Sequence, residues 1–223
     1  MDGHILTLED PGARLTLEEI LHPDTLARFT PAQQAVPNFS VSGSAFWGHF
    51  RVSNPSPKAH TWWLDHADAM VSYSDFFLVR HDGRIEHTPA GSMRPWSDKP
   101  LESTTQTLPV RLAPGETLDI FLRIESDYVL LMPLTFWQPT AFHSSRQTSH
   151  ILHGVFVGVT IAMMVYNLFV FTAVRDTSYL LYVAFLFIVF INTAGLNGTL
   201  AQYVFPDSPA VVNILFGLSL IHI

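Results

Sequence analysis

The spacing of apolar and polar residues changes character about two thirds of the way along the chain. In the first part apolar residues come in short alternating runs. Phe46, Gly48 and Phe50 alternate with Trp47, His49 and Arg51 before Asn54-Pro55-Ser56-Pro57 stops the run, which is the two-residue period of a strand followed by a turn. The same pattern predicts strands over Thr61–Asp65, Val71–Arg80, Thr107–Leu112, Thr117–Glu125 and Val129–Phe136, with only Leu15–Phe29 hinting at a short helix. Asp82-Gly83 and Ala113-Pro114-Gly115-Glu116 supply turns. Short strands at this spacing predict a β-sandwich, and a domain of roughly 150 residues buries enough surface to need no cross-links.

The last third reads differently. From Gly154 to Val174 run 21 residues with no ionisable group except the Tyr166 phenol, and as a helix they reach about 31 Å, the thickness of a bilayer core. Arg175-Asp176-Thr177-Ser178 makes a polar break, and Tyr179–Leu196 gives a second span of 18 residues. A third apolar run starts near Ala210 and stops at Ile223, short of a full span. The expected organisation is an extracytoplasmic sandwich over residues 1–143, a linker over 144–150 within Ala141–His150, and an α-helical transmembrane domain over 151–223. Its helices are expected near 151–174 and 179–196, with a partial third from 210.

From the unfinished third run the chain is expected to be a fragment of a longer protein. Residues 1–8 lack the basic start and apolar run of an export signal, so Met1 is read as an internal start or as following a missing amino terminus. The closing Leu218–Ile223 resembles sequencing-adapter read-through, and His222 is given no role. The loop from Asn197 to Pro209 contains no Lys or Arg, so the positive-inside rule sets Arg175 in the cytoplasm and the sandwich outside. Tyr179, Tyr182 and Tyr203 sit where interfacial aromatic belts are expected.

Composition sharpens this division. Charged residues make up 14% of the chain, well below the roughly 25% of average soluble domains. The last 75 residues hold only Arg175, Asp176 and Asp207 as charged groups. The absence of cysteine excludes disulfides and thiolate sites, and a net charge of -7 argues against nucleic acid as a partner.

Candidate chemistry is sparse. On a strand Trp62 and Trp63 point to opposite faces, so one needs a cover. It either lies under a loop or forms an aromatic platform for a flat ligand such as a sugar ring. Trp96, in a loop with Arg94, Pro95, Asp98 and Lys99, is the better candidate for exposed stacking. His60, Asp65, His66 and Asp68 are metal-ligand types, but their spacing matches no short motif, and neither a metal nor a cofactor is assigned. Asp75, Asp82 and Glu125 are available as a glycosidase-like carboxylate couple or as ordinary surface charges. No nucleophile elbow, zinc motif or phosphate loop occurs, so no catalytic residue is nominated. In the first apolar helix Gly154, Gly158 and Ala162 recur every four residues, a packing stripe unless it reflects the general abundance of glycine in membrane helices. Asn167, deep in the same span, is read as interhelical hydrogen-bonding glue.

Gly43-Ser44-Ala45-Phe46-Trp47-Gly48-His49-Phe50-Arg51-Val52-Ser53-Asn54 and Leu131-Met132-Pro133-Leu134-Thr135-Phe136-Trp137, with Pro139 and Phe142, resemble the extracellular domain of bacterial seven-transmembrane receptors with diverse intracellular signalling modules. Gly154, Gly158, Tyr166-Asn167-Leu168-Phe169, Arg175-Asp176, Ser178-Tyr179, Tyr182, Asn197-Gly198 and Gln202-Tyr203 resemble the start of that family's membrane domain. The resemblance implies a jelly-roll-like periplasmic sensory domain for a small ligand, with carbohydrate as the suggested class, on a multi-pass inner-membrane protein. A cytoplasmic output module, often a diguanylate cyclase or histidine kinase, is implied beyond residue 223. The partners expected are the lipid bilayer, a small-molecule or carbohydrate ligand and a second copy of the chain. The alternative is a membrane-tethered carbohydrate-binding or envelope-structural module that does not signal.

Overall fold

The structure, a computed structural model, describes residues 5–221. Met1 and the closing His222-Ile223, on which the expectations about the chain's ends fall, lie outside those residues. The chain parts into two compact units between Gln138 and Pro139.

The first unit is all antiparallel sheet with a short helical cover. A six-stranded sheet has the order β2 (Thr30–Pro31), β1 (Leu6–Asp10), β4 (Ala45–Ser53), β9 (Thr117–Glu125), β6 (Tyr73–Arg80) and β7 (Ile85–Ala90). The opposing layer is a three-stranded sheet, β11 (Leu134–Trp137), β5 (His60–His66) and β8 (Gln106–Leu112), beside a two-stranded one, β10 (Val129–Leu131) and β3 (Asn38–Val41). The pairings nest: β6 with β7, β5 with β8, β4 with β9 and β3 with β10. Successive ladders therefore fall in alternate layers, as when a long hairpin is rolled up.

Alternation along each strand decides what fills the core. Phe46, Phe50 and Val52 of β4, Phe76 and Leu78 of β6, and Leu118, Ile120, Leu122 and Ile124 of β9 meet Leu64, Leu108, Val110, Leu112, Leu130 and Met132 of the opposing layer. Each such side chain, fully withdrawn from water, contributes about 1.5–3 kcal/mol. The other face of the six-stranded sheet is not left to solvent. Leu8, Trp47 and Phe121 pack with Ile20 and Phe29 from the segment containing α1 (Leu17–Ile20) and α2 (Pro23–Leu26). A capping box starts α1, the Thr16 hydroxyl accepting from Glu19 N–H and the Glu19 carboxylate from Thr16 N–H. Pro23 occupies the first turn of α2, where its missing N–H costs nothing.

The expected strands are present, and the last of them is interrupted: β10 and β11 are separated by Met132-Pro133. β1, β2, β3 and β7 were not anticipated. β7, Ile-Glu-His-Thr-Pro-Ala, is mostly exposed and contains proline, and it forms because it is an edge strand, where the lost N–H is tolerated.

In the second unit α3 runs from Pro139 to Val174, α4 from Thr177 to Leu196 and α5 from Pro209 to Ile221. Residues 144–150, expected as a linker, are helical and continuous with the first span. The hydroxyls of Ser144, Thr148 and Ser149 donate to the carbonyls of Thr140, Ser144 and Ser145, so these polar side chains bond along the helix instead of breaking it. At 36 residues α3 is about 54 Å long, well beyond a bilayer core. Arg175 turns the chain with φ of 60°, and Asp176 caps α4 by accepting from Ser178 N–H at 2.8 Å. Within the described residues α3 and α4 are each long and apolar enough to cross a membrane. Their large apolar side chains point outward, with Phe169 71% and Leu181 67% exposed, a surface that calls for lipid as its solvent.

Two glycines of the sandwich test its packing. A Cβ on Gly48 would lie 2.6 Å from the Met132 sulfur inside the core, and one on Gly91, at φ of 127°, would lie 2.8 Å from Tyr73 Cα. Gly48→Ala is expected to destabilise by about 1–3 kcal/mol through overpacking. Gly91→Ala, which opposes rigid backbone, is expected to cost at least as much. Gly43→Ala, with open space around the new methyl, should melt within about 0.5 kcal/mol of the parent. Thermal denaturation of the three variants checks this order.

Candidate functional site

The structure separates the three tryptophans nominated for ligand stacking. Trp62 and Trp63 lie on opposite faces of β5, and Trp63 is paired across the sheet with Trp137 and Pro109. Trp96 begins a 3-10 turn, Trp96–Asp98, and the Lys99 ammonium sits 4.6 Å from its ring centroid, so a cation–π contact uses the stacking surface. The aromatics therefore occupy two faces of one strand and a separate loop.

His60, Asp65, His66 and Asp68 are likewise dispersed. His60 is exposed and within 3.2 Å of the Ser56 hydroxyl. Asp65, on the other face of β5, is buried and accepts from the Thr105 hydroxyl at 2.6 Å and the Thr107 hydroxyl at 2.9 Å. Asp68 accepts from the backbone N–H of Met70 and Val71. His66 is fully buried, with Nε2 donating to the Leu131 carbonyl at 2.9 Å and Nδ1 facing the Ser74 hydroxyl at 3.3 Å. Burial pushes its pKa below the usual 6.5, against the opposing pull of the Leu131 carbonyl, Asp68 and Asp65.

The carboxylates are held in ion pairs on the outer face of the six-stranded sheet. Asp75 contacts His87 Nε2 and Arg94 Nη2, each at 2.9 Å, and Arg123 bridges toward Glu125 at 2.7 Å. Asp82 pairs with Arg84 in the β6–β7 turn. Burial acts to raise the pKa of Asp119, but hydrogen bonds from Arg51 and His49 outweigh it and hold the carboxylate below its usual range.

Among the described residues, a cleft lies at the β2 edge, beside β3. This cleft of about 240 Å³ is lined by Thr7, by Thr30 and Pro31 of β2, by Ala32, Gln33 and Gln34 of the connection that follows, and by Pro37, Asn38 and Phe39. Thr7 and Thr30 are opposite each other in the β1–β2 ladder. Phe39 is fixed from behind by stacking on Phe46, with centroids 4.0 Å apart. Asn38 accepts from Ser40 N–H at 2.9 Å through its side-chain oxygen, and the neighbouring Pro37 carbonyl accepts from Met132 N–H at 3.0 Å. Chemically the cleft offers amides and hydroxyls, which both donate and accept hydrogen bonds without charge. Sequence reading missed it because Gln33 and Gln34 belong to an aperiodic connection and Asn38 opens a short, mostly exposed strand, and only the fold brings them beside Thr7.

In the helical unit the buried side of α3 is formed by His153, Val157, Thr160, Met164, Asn167 and Phe171, spaced four and three residues apart, and α3 packs against α4. Gly154, Gly158 and Ala162 lie off this seam and are exposed, and a Cβ on either glycine would meet nothing within 4 Å. Gly154 and Gly158 each follow a seam residue by one position, a rotation of about 100° around the helix. Asn167 is buried, and its amide donates to the Met163 carbonyl of its own helix at 2.8 Å. His153 Nε2 lies 3.3 Å from the Thr199 hydroxyl.

A sandwich followed by helices long and apolar enough to cross a membrane defines a membrane-anchored protein with a folded amino-terminal domain. Comparison with known families agrees: the family model described as 7TMR-DISM extracellular 2 matches residues 2–138, and that described as 7TM diverse intracellular signalling matches residues 149–223. The chain belongs to this family of membrane sensory receptors. No curated protein matches it significantly.

Because His66 is neutral in the fold and protonates more readily once unfolded, the unfolded state takes up the extra proton. Stability is therefore full above about pH 6.5 and falls as the pH drops below it, by at most about 1.4 kcal/mol per pH unit. Thermal midpoints measured from neutral to mildly acidic pH should fall less steeply in His66→Gln than in the parent. Equal slopes would contradict the assignment.

Proposed function

We propose that the chain is the input half of a signalling receptor. The sandwich binds a small ligand outside the membrane, and the helices carry its effect to an output module in the cytoplasm. The observation that carries this reading is the junction. β11 ends at Trp137 and α3 starts at Pro139, so the last strand of the sandwich leads into the first membrane helix with one intervening residue. A shift in β10 or β11 is thus delivered to a helix by covalent continuity. The ligand acts only through unequal affinity for two arrangements of the receptor.

The nested pairing around β6 and β7 supports a jelly-roll winding, and carbohydrates are the ligand class to test first. The long apolar α3 and α4 support the bilayer as a partner. Arg175, at the turn between them, supports a cytoplasmic position for that turn.

Topology supplies the test. A reporter active only outside the cytoplasm, fused after His150, is expected to be active, and the same reporter fused after Thr177 is expected to be silent. The reverse pattern would reject the receptor reading.

A further inference from the structure

Within that reading, on which this inference rests, we infer that the cleft between β2 and β3 is the ligand site and that it selects an uncharged, hydrogen-bonding molecule about the size of one sugar ring. The volume decides the size. About 240 Å³ is smaller than the roughly 300–1,000 Å³ of sites for drug-sized ligands. That space suits one ring with its substituents.

The lining decides the chemistry. Gln33 and Gln34 are exposed, and neither side chain hydrogen-bonds to a protein group among the described residues. The hydroxyls of Thr7 and Thr30 reach each other's backbone carbonyls only at 3.5 Å, which is a weak bond that leaves acceptor capacity open. Phe39 supplies an apolar surface against which the carbon face of a ring can lie. Of the described residues lining the cleft none is ionisable, so a charged ligand would lose hydration without gaining a counter-charge. An uncharged ligand with several hydroxyl or amide groups exchanges water hydrogen bonds for protein ones.

The same cleft is tied to the strand that leads out of the domain. Asn38 pairs with Leu131 of β10, the Pro37 carbonyl accepts from Met132 N–H, and the Leu131 carbonyl accepts from His66. A ligand that draws in Pro37 and Asn38 therefore acts on the segment that becomes β11. None of the tryptophans nominated from the sequence takes part.

The test uses the purified full chain in detergent, with glucose and N-acetylglucosamine as neutral probes and glucuronate and glucosamine as charged ones. Calorimetry is expected to show binding of at least one neutral sugar, weakened about threefold to tenfold by Gln33→Ala and again by Gln34→Ala, while the charged sugars bind at least tenfold more weakly. Because both glutamines are exposed and unpartnered, the unliganded variants should melt with the parent. Equal binding of charged and neutral sugars, or no sugar binding at millimolar concentration, would overturn the ligand class. Neutral binding indifferent to both glutamine changes would overturn the site but leave the receptor standing. The receptor reading fails separately, through a silent reporter after His150.

Discussion

Hydrocarbon offers no hydrogen bonds to a backbone, and this constraint organises the whole molecule. From Gly154 to Val174 every backbone N–H and C=O away from the helix ends must find its partner within α3, and the side chains that face outward must be apolar. Where polar groups do occur they turn back on the same helix, as Thr160 does to the Phe156 carbonyl at 2.9 Å and Asn167 to Met163. Charges are correspondingly displaced into the sandwich, to Arg146 near the start of α3, and to the connections holding Arg175, Asp176 and Asp207.

The sandwich solves the opposite problem, that of hiding apolar surface from water. Its six-stranded sheet is covered on both faces, by the opposing strands on one side and by the α1–α2 segment on the other. That explains why Trp47, which alternates away from the main core, is nonetheless only 1% exposed. With both faces occupied, open concave surface is pushed to the edges. The cleft beside the two-residue strand β2 is such a place, since so short a strand leaves the connection from Ala32 to Pro37 free to form a wall.

The features read correctly from the sequence are those that a period or a solvent preference fixes. The alternation in β4 and β9 and the long apolar runs of α3 and α4 are local facts with one physical meaning each. Gly83 and Gly115, with φ of 85° and 70°, sit in turns for the same local reason. What escaped was set by tertiary context. β1 and β7 exist because a neighbouring strand pairs with them. The cleft escaped for the same reason: aromaticity draws attention to Trp62, Trp63 and Trp96, whereas the cleft is built from ordinary glutamines, threonines and an asparagine that sequence order keeps apart. The glycine stripe shows the limit of helical periodicity, which finds a stripe but not the neighbour it faces.

Sensing and anchoring are thereby divided between two solvents and joined at one short stretch of chain. The division can be measured directly because the sequence has no cysteine, so single cysteines introduced one at a time from Pro139 to Val174 can carry spin labels in lipid vesicles. Collision with a water-soluble relaxation agent is predicted to stay high through His150 and to fall away beyond Gly154, while collision with oxygen rises and oscillates with a period near 3.6 residues. Sustained access of the water-soluble agent from Gly154 to Val174 would contradict the account at its base.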